Sequence, residues 1–377
     1  MIEIKEVVSK SDWKKFAAFP VKLYKENPHY VPSFLADDEN MANPKKNFAA
    51  QNCKVKAFLA YEGKTVVGRI AAIIVEESNR KFGEKAVRFS RFDFIEDIEV
   101  AKALLNAAIE FGKSQGMTRI HGPWGFNDTD REGMLTYGFD KAGSYATNYN
   151  YAYYPEFMRE LGYADESVWI EEKVDFPKPG TPQYDKYIRL GEFVKKKYRL
   201  RELTETMSVR KIVSQYGDKF FDCYNAAYSV LDMYVDITGE AKKAVLKQFA
   251  SIVSRKFLSV LVDEKDDVVA FCVMLSAIGP ALKKHGGKGN IFALLDILKL
   301  INHPKTLELT LIAVRPDFAK RGYTAACISK LIREIDKADQ PEIVSDPTLE
   351  SNTAVRAQWA MADSEVIKRR QTYTKDI

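Results

Sequence analysis

One pattern runs twice along the 377 residues of this chain, and it constrains the fold more than any single motif does. In the first half, Val55–Tyr61, a polar turn (Glu62, Gly63, Lys64) and Thr65–Val75 read as a β-hairpin. A strand at Ala86–Phe94, a helix at Ile98–Gln115 and a strand at Thr118–Gly122 follow. In the second half, Phe257–Val262, a turn at Asp263–Asp267 and Val268–Ser276 repeat the hairpin, again with a Val-Val opening on its apolar strand. Strand, helix and strand follow within Leu307–Ser345. A repeat of this length implies two copies of one fold rather than one large sheet. The expected class is α/β (α+β), with mixed sheets flanked by helices. The expected domains are 1–175 and 201–377, joined by a linker at 176–200 where Phe176–Tyr187 carries three prolines and a glycine.

Leu307–Ser345 is the stretch with the clearest chemistry. Leu307, Leu309, Leu311 and Ala313 alternate with Glu308, Thr310 and Ile312, the period of a strand buried on one face. A basic loop holding Lys320, Arg321 and Gly322 leads into a helix marked by Ala325, Ala326, Ile328, Leu331, Ile332 and Ile335. Unpaired N–H groups at such a helix start, together with the helix dipole, favour an anion such as a diphosphate. The competing reading is an ordinary βαβ turn with a surface Lys-Arg pair.

The chain is 46% hydrophobic and 29% charged, which places it among folded globular proteins. A net charge of +5 suits an anionic ligand as well as it suits nucleic acid, and no long basic arm is present. Cys53, Cys223, Cys272 and Cys327 are far apart and form no CxxC, so reduced thiols are expected and no metal site. The N-terminus lacks the apolar core of a signal peptide, and no apolar run reaches the length of a membrane span. These features predict a soluble, cytoplasmic protein with no membrane partner.

Two other segments stand out. Asn127–Tyr154 interleaves tyrosines with Asn, Asp and Arg, the composition of a ligand cleft or of a structural loop packed on a sheet. Asn127, Asp128, Tyr149 and Tyr153 are its candidate substrate-binding residues. Ile278–Pro304 is an insertion with a Gly-Lys-rich turn and an apolar helix. Its KKHGGKG sequence lacks the spacing and the ending of a P-loop. Pro20 is expected to break or kink the helix beginning near Asp12.

The order of elements resembles the GNAT acyltransferase superfamily. The pieces FPVKLYKENPHYVPSF, NPKKNF, GRIAAI and YNYAYYPEFMRELGY, with the HGPW–FND–EG–GFD series, resemble a bacterial family of tandem GNAT-like proteins whose reaction is not defined. The resemblance spans nearly the whole chain. It implies an acyl-CoA site in the second half, with acetyl-CoA or another acyl-CoA as co-substrate. There Ile312, Ala313 and Val314 would face the pantetheine arm, and Ala319-Lys320-Arg321-Gly322-Tyr323-Thr324 would hold the diphosphate. Of the family's Gln/Arg-x-x-Gly-x-Gly/Ala pattern only Gly322 is kept; Ala319 and Thr324 depart from it. Asn352, with Trp359 seven residues on, matches the late motif, although an indole N–H cannot serve as the acid that the usual tyrosine supplies. The first half has Ile95-Glu96-Asp97-Ile98-Glu99 at the equivalent loop, and these carboxylates would repel a diphosphate.

Acyl transfer to an amine also needs a base. Glu308 is the first candidate, with a carboxylate on an exposed strand face as the competing reading; Asp232 and Asp236 read as turn residues. The expected activity is acyl-CoA-dependent N-acylation, acetylation above all, of a small amine-bearing acceptor by direct attack. Two alternatives stay open. One is a Fem-type peptidyltransferase using aminoacyl-tRNA, the only setting in which nucleic acid would be a partner. The other is a GNAT-fold binding protein without catalysis.

Overall fold

The computed structural model describes residues 1–127, 129–231, 234–352, 355 and 362–377. In chain order the elements are β1 (Ile2–Glu6), α1 (Lys10–Leu23), α2 (Leu35–Glu39), β2 (Cys53–Glu62), β3 (Thr65–Val75), α3 (Glu76–Phe82), β4 (Ala86–Phe94) and α4 (Ile98–Ser114). Next come β5 (Arg119–Gly122), β6 (Met134–Tyr137), α5 (Tyr153–Glu160), β7 (Ala164–Asp175), α6 (Pro182–Lys197), β8 (Arg201–Glu202), α7 (Val209–Tyr228) and α8 (Gly239–Ile252). The chain continues with β9 (Leu258–Val262), β10 (Val268–Ser276), α9 (Gly279–Lys284), α10 (Ile291–Asn302) and β11 (Thr306–Val314). It ends with α11 (Tyr323–Lys337), β12 (Glu342–Ser345), β13 (Thr348–Leu349) and β14 (Asp363–Asp376).

Two compact units result, and neither is a continuous run of sequence. Unit 1 is Met1–Ile170 with Ile278–Asp296 and Ile367–Ile377; unit 2 is Glu171–Ala277 with Ile297–Val366. In unit 1, β1, β2, β3 and β4 pair antiparallel in sequence order, and β4 pairs parallel with β5. The C-terminal strand then closes on β5, with Tyr373 opposite Gly122 and Asp376 opposite Arg119. Alternation along β2 decides the layers. Phe58 and Ala60 enter the core shared with Leu104, Leu105 and Ala108 of α4, while Ala57, Leu59 and Tyr61 enter the core shared with Phe16 of α1.

Pro20 does not end α1, which runs on to Leu23. A proline removes the N–H that would bond the carbonyl of residue 16. That carbonyl instead accepts a hydrogen bond from Arg69 Nη1 at 2.9 Å.

In unit 2, β8, β9, β10 and β11 pair antiparallel, β11 pairs parallel with β12, and Val344 of β12 lies opposite Lys173 of β7. Ala270, Cys272 and Met274 of β10 face the core built with Cys327, Ile328 and Leu331 of α11, whereas Phe271 and Val273 face Phe220 and Tyr224 of α7. Cys223, Cys272 and Cys327 are buried and free, and Cys53 is half-buried and free.

The stretch 176–200 is not a linker. It carries the sixteen-residue helix α6, whose Tyr187 and Val194 are buried in the unit 2 core. Pro182 stands in the first turn, where its missing N–H costs nothing, and the Thr181 hydroxyl caps Tyr184 N–H. The second strand series begins on only two residues, Arg201 and Glu202.

Candidate functional site

The arrangement with the most chemical content in unit 2 lies where β11 and β12 part. Their parallel register runs from Thr306–Glu342 to Leu309–Ser345 and stops there. The last bond across it is from Asp346 N–H to Leu309 O, at 3.1 Å. At the same level β11 bulges against β10: Leu309 pairs with Met274 and Leu311 with Val273, so Thr310 has no opposite residue. A bulge bends its strand and ends pairing on one side. Beyond it Ile312, Ala313 and Val314 stay bonded to β10, opposite Cys272, Phe271 and Ala270, and their other edge has no paired strand among the described residues. Such an edge offers backbone N–H and C=O groups to an extended ligand.

From Val314 the chain enters a turn at Pro316–Phe318 and then the basic loop. Lys320 and Gly322 both take left-handed backbone angles, φ 62° and 81°. Gly322 is the N-cap of α11, and no side chain caps that helix. Ala326 N–H bonds Gly322 O, so the N–H groups of Tyr323, Thr324 and Ala325 belong to the first turn, which has no intrahelical acceptor. A Cβ on Gly322 would come within 3.2 Å of Val194. Lys320 and Arg321 are exposed. The loop is anchored by aromatic packing: Tyr323 is buried against Phe318 and Tyr198, and the Arg321 guanidinium lies 4.9 Å from the Phe318 ring centre. These features fit an anion. They comprise a positively charged helix start with no acidic residue in its first turn, two exposed cations and a glycine where a Cβ would crowd Val194.

Glu308 sits two residues before the bulge and is 7% exposed, so it is not the solvent-facing strand carboxylate that the alternation also allowed. Leu307 and Leu309 point into the core with α11, which puts Glu308 on the opposite face, toward α7. Asn352 Oδ1 accepts from Val355 N–H at 3.3 Å, the geometry of a helix cap. Asp232 and Trp359 lie outside the described residues; Asp236 is exposed between α7 and α8. Glu308, Ile312–Val314 and Lys320–Thr324 therefore share one continuous strand–loop–helix.

The candidates Asn127, Tyr149 and Tyr153 belong to unit 1, and each makes hydrogen bonds within it. Asn127 Oδ1 accepts from the N–H and the hydroxyl of Thr129, an Asx turn. The Tyr149 hydroxyl accepts from Asn27 Nδ2 at 2.9 Å and donates to Phe139 O at 3.1 Å. Tyr153 donates to Phe94 O at 2.7 Å. Asp128 lies outside the described residues. At the start of α4, the Asp97 carboxylate accepts from Glu99 N–H at 2.9 Å and so occupies that helix end itself.

Sequence reading missed a buried charge network in the same unit. Arg69 donates through Nε to Asp93 at 2.7 Å and through Nη1 to Asp38 at 2.8 Å. Arg91 makes a two-pronged pair with Asp130 at 2.8 and 2.9 Å, and Arg131 donates to Asp38 at 2.5 Å. Tyr24 donates to Asp93 at 3.0 Å and shares a 2.9 Å bond with Tyr154. Burial raises the hydroxyls of Tyr24 and Tyr154 well above the ordinary tyrosine range, and both stay protonated. Burial opposes charge on Asp38, yet Arg131, Arg69 and Arg91 together hold its carboxyl far below the ordinary range. Arg91 takes a positive φ of 47° within β4, where the pairing with β3 shifts register. The available signal was an arginine inside the apolar run VVGRIAAII and charges within SRFDF.

No family model matches the chain. Among curated proteins, protein YghO of Escherichia coli (strain K12) is 30% identical over 176 residues, 46% of this chain and 45% of that protein. A bacterial ceramide synthase of Caulobacter vibrioides is 26% identical over 170 residues, 45% of this chain and 44% of that protein. The matched region thus spans about half the length of these curated relatives. Among solved structures, a tandem GNAT protein from the clavulanic acid biosynthesis pathway superposes with a TM-score of 0.54 at 11% identity, over 99% of this chain and 98% of that one. A GCN5-related N-acetyltransferase from Sphaerobacter thermophilus superposes with a TM-score of 0.51 at 8% identity, over 100% and 95%. Likeness at such identity is likeness of fold, and it runs end to end over a protein built the same way. With two hairpin–strand–helix–strand units in one polypeptide and this correspondence, the chain has a tandem GNAT-like fold.

Proposed function

We propose that unit 2 binds an acyl-CoA and transfers its acyl group to an amine by direct attack. The observation that carries this reading is the parting of β11 from β12 at Leu309, followed by an uncapped, basic helix start at Gly322. The free edge of Ile312–Val314 would take the pantetheine amides. The N–H groups of Tyr323–Ala325, with Lys320 and Arg321, would take the diphosphate. Glu308, next to the bulge and on the face away from α11, is the group we assign to accept the proton of the attacking ammonium, directly or through water. An amine attack needs only that deprotonation, a polarised thioester carbonyl and reactants held together. A thiolate leaves without an acid, so the reading does not depend on residue 359.

For the acceptor, a small amine-bearing molecule is the simplest choice. The similarity to a bacterial ceramide synthase favours a second one, because ceramide is the amide of a long-chain amine. Calorimetric titration with CoA, acetyl-CoA and a long-chain acyl-CoA tests the donor site. Binding in the micromolar range, weakened at least about tenfold by Arg321→Glu (roughly 1.4 kcal/mol), is the expected result. A folded protein that binds none of the three sinks the reading. Thioester consumption with short-chain and long-chain amines in parallel then separates the two acceptor classes. Glu308→Gln is expected to lower that turnover by about 100-fold or more while leaving CoA affinity unchanged.

A further inference from the structure

The exposed apolar side chains of this protein are not scattered. Of the eleven large hydrophobic residues that stand exposed among the described residues, five belong to α10: Ile291, Phe292, Leu294, Leu295 and Leu298, each between 45% and 68% exposed. Ala293 and Ile297 are buried and tie the helix down, and Asn290 Oδ1 caps it through Ala293 N–H at 2.9 Å. At 100° per residue the five exposed side chains fall on one outward arc. A surface helix in water presents polar residues there. A contiguous apolar face of this kind marks an interaction site.

Its surroundings say what kind of surface it meets. Lys22, Lys284 and Lys288 line an open cleft together with Asn290, the cap of the same helix. Asp296 is the acidic residue of α10. Its carboxylate is bonded at 2.8 Å by both Lys284 and His285, and these bonds keep it below the ordinary carboxylate range. The rim is therefore basic. Two copies meeting through this face would set these lysines against each other, and like charges across an interface are unfavourable.

We propose that α10 is a peripheral docking site for an anionic lipid bilayer. The apolar arc enters the boundary between headgroups and acyl chains, and Lys22, Lys284 and Lys288 engage lipid phosphates. This contact is separate from membrane spanning: no described helix is long and apolar enough to cross a bilayer. It is also independent of the acyl-transfer reading, because its readout is partition and not turnover.

The test is flotation of the full chain with vesicles of phosphatidylcholine alone or mixed with phosphatidylglycerol, at low and high salt. Expected is binding to the anionic vesicles at least about tenfold stronger than to the neutral ones, and weaker at high salt. Phe292→Ser with Leu295→Ser, and separately Lys22→Glu with Lys288→Glu, are each expected to weaken that binding at least about tenfold. All four side chains are exposed, so thermal melts should match the parent and exclude misfolding. No flotation with anionic vesicles overturns the proposal. So does flotation that the lysine variant abolishes and the Phe292/Leu295 variant leaves intact, which would be surface adsorption without the helix. Sedimentation velocity supplies the remaining outcome: a dimer dissolved by the Phe292/Leu295 variant, without vesicle binding, would make the face a self-contact.

Discussion

Arg69 shows how much one residue can carry. Its guanidinium, 2% exposed, satisfies Asp38, Asp93 and the Phe16 carbonyl that Pro20 leaves without a donor. Removing one partner from such a cluster leaves an uncompensated buried charge, which costs about 3–5 kcal/mol. Arg69→Met should therefore lower the unfolding free energy of unit 1, read from a denaturant titration, by about that amount, whereas a hydrophobic substitution at an isolated strand position would not. The same network sets an acid limit. The carboxyls of Asp38 and Asp130 are held below their ordinary range by facing arginines, so their contribution is fully present above the unfolded carboxylate range. It is lost as pH falls from about 4 toward the folded values. Equilibrium denaturation at pH 7 and near pH 3 should show the parent losing stability on acidification, and Asp38→Asn losing less because it has less to lose. Gly322 is a smaller case: Gly322→Ala puts a Cβ at φ 81° and 3.2 Å from Val194, and about 1 kcal/mol of destabilisation is expected together with weaker CoA binding.

At the scale of elements, α6 and α11 pack so closely that Gly191 has no room for a side chain. A Cβ there would stand 2.0 Å from Ser329 Oγ and 3.2 Å from Ala325 O. Gly191→Val should separate the two helices and destabilise unit 2 by about 1–3 kcal/mol or more in a chemical melt. Because α11 opens at Gly322, the same change should also impair acyl-CoA binding. This helix pair explains why 176–200 reads as a linker and folds as a core element. Its prolines and glycine sit before and in the first turn, at Pro177, Pro179, Gly180 and Pro182, while the spacing of Tyr187, Gly191 and Val194 is the helical signal that composition obscured. Lys330 ties α11 to the turn before β9 by donating to the carbonyls of Arg255, Lys256 and Leu258 at 2.9, 2.6 and 2.8 Å. Burial lowers its pKa to about 8.

For the whole molecule, the units ignore the order of the chain. Tyr373 is fully buried in the core of unit 1 with residues of β2, β4 and α4, and Ile377 packs against it. Residues 278–296 also fold with unit 1, where Gly287 O accepts Leu35 N–H at 2.9 Å and Lys283 reaches Pro28 O. A fragment of residues 1–175 lacks both pieces, and deleting 367–377 uncovers the β5 edge. Either change should remove most of the roughly 5–15 kcal/mol that holds such a unit, so neither product should give a cooperative melt. A first-half fragment that melts like the full chain would show that the C-terminal strand is dispensable. Local periodicity and turn chemistry account for both hairpins, the helices α4 and α11, the duplicated order and the glycine before α11. These signals lie within a few residues of the groups they position. Long-range packing settles which distant segments share a core: the return of Tyr373 to β5, the seating of residues 278–296 in unit 1, and the meeting of Asp38, Arg69, Arg91 and Asp130. Those contacts depend on surface complementarity between segments tens to hundreds of residues apart, and no local pattern encodes the partner.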